Sequence, residues 1–198
     1  QVTAGGEMRR LDDPFFVLAT QNPIEQEGTY PLPEAQLDRF FFKLLVGYPS
    51  AAELLQVLDR TTGSQTASLQ RVLDGPGLVA FQQLVREVPV ASHMKEYAVR
   101  LVLATHPGRP TAIPMATQFL RFGSSPRGAQ TLILAAKVRA LSQGRDVVAA
   151  EDLQWAAPLA LRHRLILNFE AEAEGMTADL IIQRVLTEVS ADPVVAAA

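Results

Sequence analysis

Phe15-Phe16-Val17-Leu18-Ala19-Thr20-Gln21-Asn22-Pro23 is the stretch on which the fold turns. Its first six residues form an unbroken run of strand length with no charged side chain. Such a run suits a strand covered on both faces, as in a parallel sheet. In open α/β sheets, ligands bind outside the carboxyl ends of the strands, and Asn22 stands just beyond this end. A polar side chain there is placed to hold an attacking water or a phosphate oxygen. The alternative is an Asn-Pro dipeptide that does no more than turn the chain.

Moving outward, Phe40-Phe41-Phe42-Lys43-Leu44-Leu45-Val46 is a second run of the same kind. A Pro/Gly-rich loop (residues 21–33) and a short helical stretch, Glu34–Arg39, separate the two. Upstream, Gln1–Ala4 and Glu7–Leu11 flank Gly5-Gly6, a two-residue hairpin turn that tolerates positive φ at both positions. Residues 1–48 therefore read as the last piece of an α/β domain.

After Gly47-Tyr48-Pro49 the pattern becomes helical. Ser50-Ala51-Ala52-Glu53 is a capping box, followed by an apolar stripe at Leu54, Leu55 and Leu58. Residues 61–68 read as a polar loop and Leu78–Arg86 as a helix. Ser92 is placed to cap a helix whose Met94, Tyr97, Ala98, Leu101 and Val102 follow i, i+3, i+4 spacing. Residues 105–126 are irregular and rich in Pro and Gly. Ser125-Pro126 opens another helix, a further one near Glu151 meets a kink or break at Pro158, and Thr177 caps the last. Met176 and Ile181 are spaced as its hydrophobic staple. The fold class is an α+β fragment, mostly α. Two or so strands and a hairpin (1–48) precede an all-α bundle (50–198).

Composition narrows the function classes. The 198 residues are 48% hydrophobic and 20% charged, enough apolar material for a core, and contain no cysteine. A disulfide scaffold and a thiolate metal site are excluded, and a reducing cytoplasm is the expected setting. No window approaches a membrane span of ~18 apolar residues, and no secretory signal opens the chain. The chain starts at Gln1 rather than Met, which reads as a fragment or a processed product. The net charge of −3 lies wholly in residues 1–50, so the bundle is neutral and shows no basic stripe for nucleic acid.

Several chemistries lack their motifs. His93, His106 and His163 form no H-E-x-x-H pair, so no metal site is expected. No G-x-S-x-G elbow is present. Gly123 and Gly128 have the glycine spacing of a phosphate loop, but Ala129-Gln130 stand where Lys-Ser/Thr is required. Trp155 and Phe40–Phe42 read as core, and Glu170, Glu172 and Glu174 as a solvated acidic segment.

The segment from Phe16 to Pro23, continued by Ile24-Glu25-Gln26-Glu27-Gly28-Thr29-Tyr30-Pro31-Leu32-Pro33-Glu34-Ala35-Gln36-Leu37-Asp38-Arg39-Phe40, closely resembles the MoxR family of AAA+ ATPases. The likeness continues more loosely through Val46–Ser50, Gly123–Gly128 and Leu161-Arg162-His163-Arg164-Leu165. It covers nearly the whole chain but only the C-terminal part of the family's core. The Walker A and Walker B segments would lie upstream of Gln1.

The resemblance implies that Asn22 is sensor 1, orienting the lytic water. It implies that Arg39 is the arginine finger, which neutralises charge on the transferred phosphoryl group, and that Arg127 is sensor 2 on the helical lid. It also implies ATP and Mg²⁺ as cofactors of the full-length parent, neither expected to bind this fragment tightly. The implied partners are other copies in a ring, expected to be a hexamer, and protein clients, often for metal-cofactor insertion. Without the phosphate loop the fragment alone is expected to be inactive. The alternative is a non-catalytic helical interaction module.

Physical reasoning bears on two of these roles. Arg127 falls in the first turn behind Ser125, where free amides and the helix dipole favour an anion, so an Arg there calls for one. For Arg39, two parallel strands would put Asn22 and Arg39 at opposite strand ends, ~17–20 Å apart for five or six residues. One γ-phosphate cannot meet both in one subunit, so Arg39 should serve a neighbour's site. The competing role for Arg39 is a salt bridge with Asp38 or Glu34.

Overall fold

A computed structural model describes residues 1–21, 32–64 and 68–192 of the chain. Contacts sort it into two units, one of Gln1–Val17 with Leu44–Phe81 and one of Leu18–Lys43 with Gln82–Ala198.

In the first unit, β1 (Val2–Ala4) pairs antiparallel with β2 (Glu7–Arg9), Val2 opposite Arg9. Gly5 and Gly6 close the turn at φ 62° and 81°, the conformation for which the Gly-Gly pair is suited. Helix α2 (Ala51–Thr62) starts on the expected capping box. The Ser50 hydroxyl accepts the Glu53 N–H (3.4 Å), and Glu53 Oε2 accepts the Ser50 N–H (2.8 Å). The helix extends to Thr62, into the segment expected to be a loop. Helix α3 (Gly75–Glu87) is the next element, and the first unit ends within it at Phe81. Leu54, Leu55 and Leu58 are all exposed.

The second unit holds the core. Helix α1 (Glu34–Leu37) is short. Helix α4 (Ser92–Leu103) buries Met94, Tyr97, Ala98, Leu101 and Val102, the five residues picked out by helical spacing. Ser92 is its first residue rather than its cap; Ala91 takes that position without a side-chain bond. The irregular segment contains two unforeseen elements, α5 (Pro114–Phe119) and β3 (Leu120–Phe122). Helix α6 (Pro126–Ser142) packs along α7 (Ala150–Leu161) and α4. Ala135, Ala136 and Ala140 on α6 and Ala156, Ala157 and Ala160 on α7 are fully enclosed, small side chains that let helices approach closely. Helix α7 runs through Pro158 to Leu161 rather than breaking there. β4 (Ile166–Leu167) pairs antiparallel with β3, α8 (Phe169–Ala173) is capped by Asn168, and α9 (Ala178–Glu188) closes on α7. Thr177 Oγ1 accepts the Leu180 N–H (3.3 Å), as a cap should; Ile181 is buried and Met176 packs on the same core.

Three expectations are corrected. Residues 15–20 and 40–46 lie in no strand, and Phe16, Leu18 and Val46 are 75%, 84% and 94% exposed. A buried strand needs neighbours to pair its backbone and cover its faces, and among the described residues only the two small antiparallel pairs, β1–β2 and β3–β4, exist. Trp155 is half exposed, because α7 turns Leu153, Ala156, Ala157 and Ala160 inward; its ring carries the Arg139 guanidinium at 5.0 Å. Phe41 is also exposed, while Phe42 packs on the core.

Candidate functional site

The loop entering α6 is held from both sides. Thr105 Oγ1 accepts the Ser124 N–H (3.0 Å), and His106 Nε2 lies 2.9 Å from the Ser124 carbonyl. Gly123 approaches Thr105 so closely that any side chain would overlap the Thr105 carbonyl. Gly128 meets Ser124 Oγ and the Leu161 side chain in the same way. The glycine spacing that imitates a phosphate loop therefore has a packing cause.

Ser125 then caps α6. Its hydroxyl accepts the Arg127 N–H (3.2 Å) and donates to Asp38 Oδ1 (2.6 Å). Arg127 Nη1 stands 3.4 Å from Asp38 Oδ2. The anion that an arginine in a first helical turn calls for is thus a carboxylate of this same chain. Partial burial pushes the Asp38 pKa up, but the Ser125 hydroxyl and the Arg164 and Arg127 charges outweigh it and hold it below the ordinary value.

Arg164, in the turn after α7, is the most fully engaged residue here. Its side chain is 2% exposed. Nε donates to Asp38 Oδ1 (3.0 Å), and Nη2 donates to the carbonyls of Asp38 (2.9 Å) and Phe40 (2.8 Å). Nη1 donates to the carbonyls of Phe41 (3.4 Å) and Ala160. A guanidinium has five N–H donors, and each has a partner. Its neighbours extend the grip: Arg162 Nη1 donates to the Lys43 carbonyl (2.9 Å), and the Lys43 N–H donates to the Leu159 carbonyl (3.1 Å).

His163 Nε2 lies 3.0 Å from the Phe40 carbonyl. A carbonyl only accepts, so Nε2 carries the proton and Nδ1 is bare; Nδ1 is buried without a partner. Burial, and then the Arg164 charge, lower its pKa from 6.5 to about 4. Glu34, Asp38, Gly123, Ser125, His163 and Arg164 together line a shallow cleft beside the α6 N-terminus.

Of the residues singled out by sequence, Arg127 is half exposed and pairs with Asp38, which lines this cleft. Arg39 comes after α1, is exposed, and makes no ion pair among the described residues. The expected competitor, a bridge to Asp38, is absent there because Asp38 is taken by Arg164 and Arg127. Asn22 lies outside the described residues. Sequence reasoning named Asp38 only as a rival partner for Arg39 and gave Arg164 no role. The available signal was Arg162-His163-Arg164 set between Leu161 and Leu165, basic residues between apolar positions that must find an acid if buried.

Among the described residues no helix is long and apolar enough to cross a membrane, and no three His, Asp or Glu gather as a metal site.

Residues 1–42 match the ATPase family associated with various cellular activities (AAA), and residues 114–185 match the AAA lid domain. YeaC, an uncharacterized protein of Bacillus subtilis, is 43% identical over 95% of this chain and 56% of its own length. Chaperone MoxR1 of Mycobacterium tuberculosis is 39% identical over 96% of this chain and 50% of its own length. A crystal structure of a presumed ATPase from Cytophaga hutchinsonii superposes with a TM-score of 0.88 at 37% identity, covering 96% of this chain and 58% of that one. The chain thus spans about half the length of the curated relatives it matches.

Proposed function

Because this chain belongs to the MoxR family of AAA+ ATPases, we propose that it forms part of a chaperone-like ATP hydrolase. In this reading residues 1–48 end the α/β core and residues 50–198 are the helical lid. The full-length protein works as a ring of its own copies, a hexamer, and couples hydrolysis to remodelling or maturation of protein clients, metal-cofactor insertion among them. Bound ATP with Mg²⁺ supplies the phosphoryl group that water attacks; no residue of this chain is proposed as a Mg²⁺ ligand.

The observation that carries the reading is the anion held at the α6 N-terminus. The Ser125 hydroxyl and the Arg127 guanidinium, set at a helix N-terminus, are chemically suited to a phosphate oxygen, as their engagement of the Asp38 carboxylate illustrates. A half-exposed pair such as Arg127–Asp38 is worth ~0–1 kcal/mol. A charge-assisted bond to phosphate is worth ~1.5–3 kcal/mol. Arg127 can therefore leave Asp38 for a nucleotide, which is the sensor 2 role. Asn22 orients the lytic water. Arg39, exposed and unpaired among the described residues, reaches the γ-phosphate bound by a neighbour. Its action across subunits rests on family likeness, since the strand-length argument loses its premise when residues 15–20 and 40–46 form no strands.

Subunit mixing tests the reading. Arg39→Ala in the full-length protein should bind ATP normally yet turn over ~10³–10⁵-fold more slowly, the worth of an arginine finger supplied from outside. Mixed with subunits disabled at the phosphate loop, each inactive alone, it should regain part of the activity. Mixed rings that form but stay inactive would exclude a finger acting across the interface.

A further inference from the structure

We infer that Arg164 is a positioning residue for Arg39: the lid turn Arg162–Arg164 holds the backbone of residues 38–43, and with it the base from which Arg39 projects. The inference rests on the reading of Arg39 as a finger for a neighbour's γ-phosphate.

Helix α1 ends at Leu37 with no buried residue, so its own packing fixes little. The segment just beyond it, residues 38–43, is instead held by side chains from far along the chain. The carbonyls of Asp38, Phe40, Phe41 and Lys43, four of six consecutive residues, are each taken by a guanidinium, with the Phe40 carbonyl also taken by His163. The Lys43 N–H is taken by Leu159. Arg39 sits inside this span, and its own N–H closes a turn on the Gln36 carbonyl (3.1 Å). Its side chain alone points outward without an ion pair among the described residues.

Arg164 does most of this holding. Its planar fork meets two carbonyls and a carboxylate from one buried position, a geometry that the single ammonium of lysine cannot reproduce. The Asp38 carboxylate does two things at once: it neutralises the buried guanidinium and receives the Ser125 hydroxyl at the α6 cap. The segment carrying Arg39 is thereby tied to the helix end carrying Arg127. A displacement of about 1 Å at a catalytic group costs ~10²-fold in rate, so loosening the clamp should slow hydrolysis without weakening nucleotide binding.

The test compares Arg164→Lys, Arg39→Ala and the double variant in the full-length protein. Titration with a fluorescent ATP analogue reads binding, and steady-state hydrolysis separates kcat from KM. Arg164→Lys should bind nucleotide as the parent does, keep its KM, and lose ~10–100-fold in kcat. The double variant should be no slower than Arg39→Ala alone, because a clamp acting through Arg39 has nothing left to position. Mixed rings add a readout that a general loss of structure would not produce. Arg164→Lys subunits, which keep their phosphate loop, should be rescued by phosphate-loop-disabled subunits that keep Arg164 and Arg39.

A full kcat in Arg164→Lys, beside a slow Arg39→Ala, would overturn the positioning role and leave the finger intact. Losses that multiply in the double variant, or absence of rescue, would place Arg164 in its own subunit's site and also overturn it. A fully active Arg39→Ala would instead remove the finger itself, and that result is visible in the single variant. Should Arg164→Lys fail to fold, Arg162→Lys, which loosens the hold on the Lys43 carbonyl without touching Asp38 or Arg127, is read by the same comparisons.

Discussion

An imidazole buried against a guanidinium resists protonation, and His163 turns that resistance into a pH dependence. In the unfolded chain its pKa returns to 6.5, while in the fold it is about 4. Between these values the unfolded state binds a proton that the native state does not, so stability decreases as pH falls through this window. The whole effect is on the order of 3 kcal/mol. Asp38 and Asp152 titrate lower: burial raises each pKa, but the Ser125 hydroxyl and two arginines at Asp38, and Arg145 with the Ala149 N–H at Asp152, outweigh it. Glu53 is likewise lowered by its Ser50 bonds; all three contributions are present above the ordinary carboxylate range and fade as pH falls into it, so denaturation between pH 5.5 and 6.5 isolates His163. Urea titrations across that range should show falling stability in the parent and a flatter profile in His163→Gln, whose amide can still donate to the Phe40 carbonyl. Equal slopes would mean that the ring is not buried as described.

At the scale of elements, the entry to α6 depends on a glycine with no positive φ. Gly123 is required because the Thr105 backbone fills the space where a Cβ would go. Thr105 cannot easily retreat: its hydroxyl accepts the Ser124 N–H and donates to the Val102 carbonyl (2.6 Å). Gly123→Ala should therefore destabilise the chain by ~1–3 kcal/mol, the usual cost of overpacking, read as a lower denaturation midpoint at unchanged slope. A loss below ~0.5 kcal/mol, typical of an inconsequential surface change, would show that the loop shifts freely. Much of this element scale was legible beforehand. The boxes and caps at Ser50, Ser125 and Thr177 are short-range signals, satisfied within three residues, and each makes its bond. The exposure of Trp155 was not, since helical spacing leaves open which face meets the core.

At the scale of the whole molecule, the two units differ in how much they bury. Every described residue of the core cluster belongs to the second, while α2 in the first buries none of its residues. The 198-residue chain contains no G-x-x-x-x-G-K-S/T loop, so as a separate polypeptide it should bind ATP weakly and release no measurable phosphate. Phosphate release at a rate typical of an AAA+ enzyme, abolished by a substitution within residues 1–198, would contradict this.

The sequence by itself determined the family, the mostly helical class and the helix caps at Ser50, Ser125 and Thr177. Each of these is written in local order: apolar spacing, a cap next to its amides, an uninterrupted motif. Only the tertiary structure decided that Asp38 belongs to Arg164 and Arg127 rather than to its neighbour Arg39. It also decided that Gly123 and Gly128 serve packing, and that two strand-like runs do not form strands. The reason is the same in all three cases. A buried charge, a close backbone approach and a strand each need a partner far along the chain, and spacing along the sequence does not say which partner arrives.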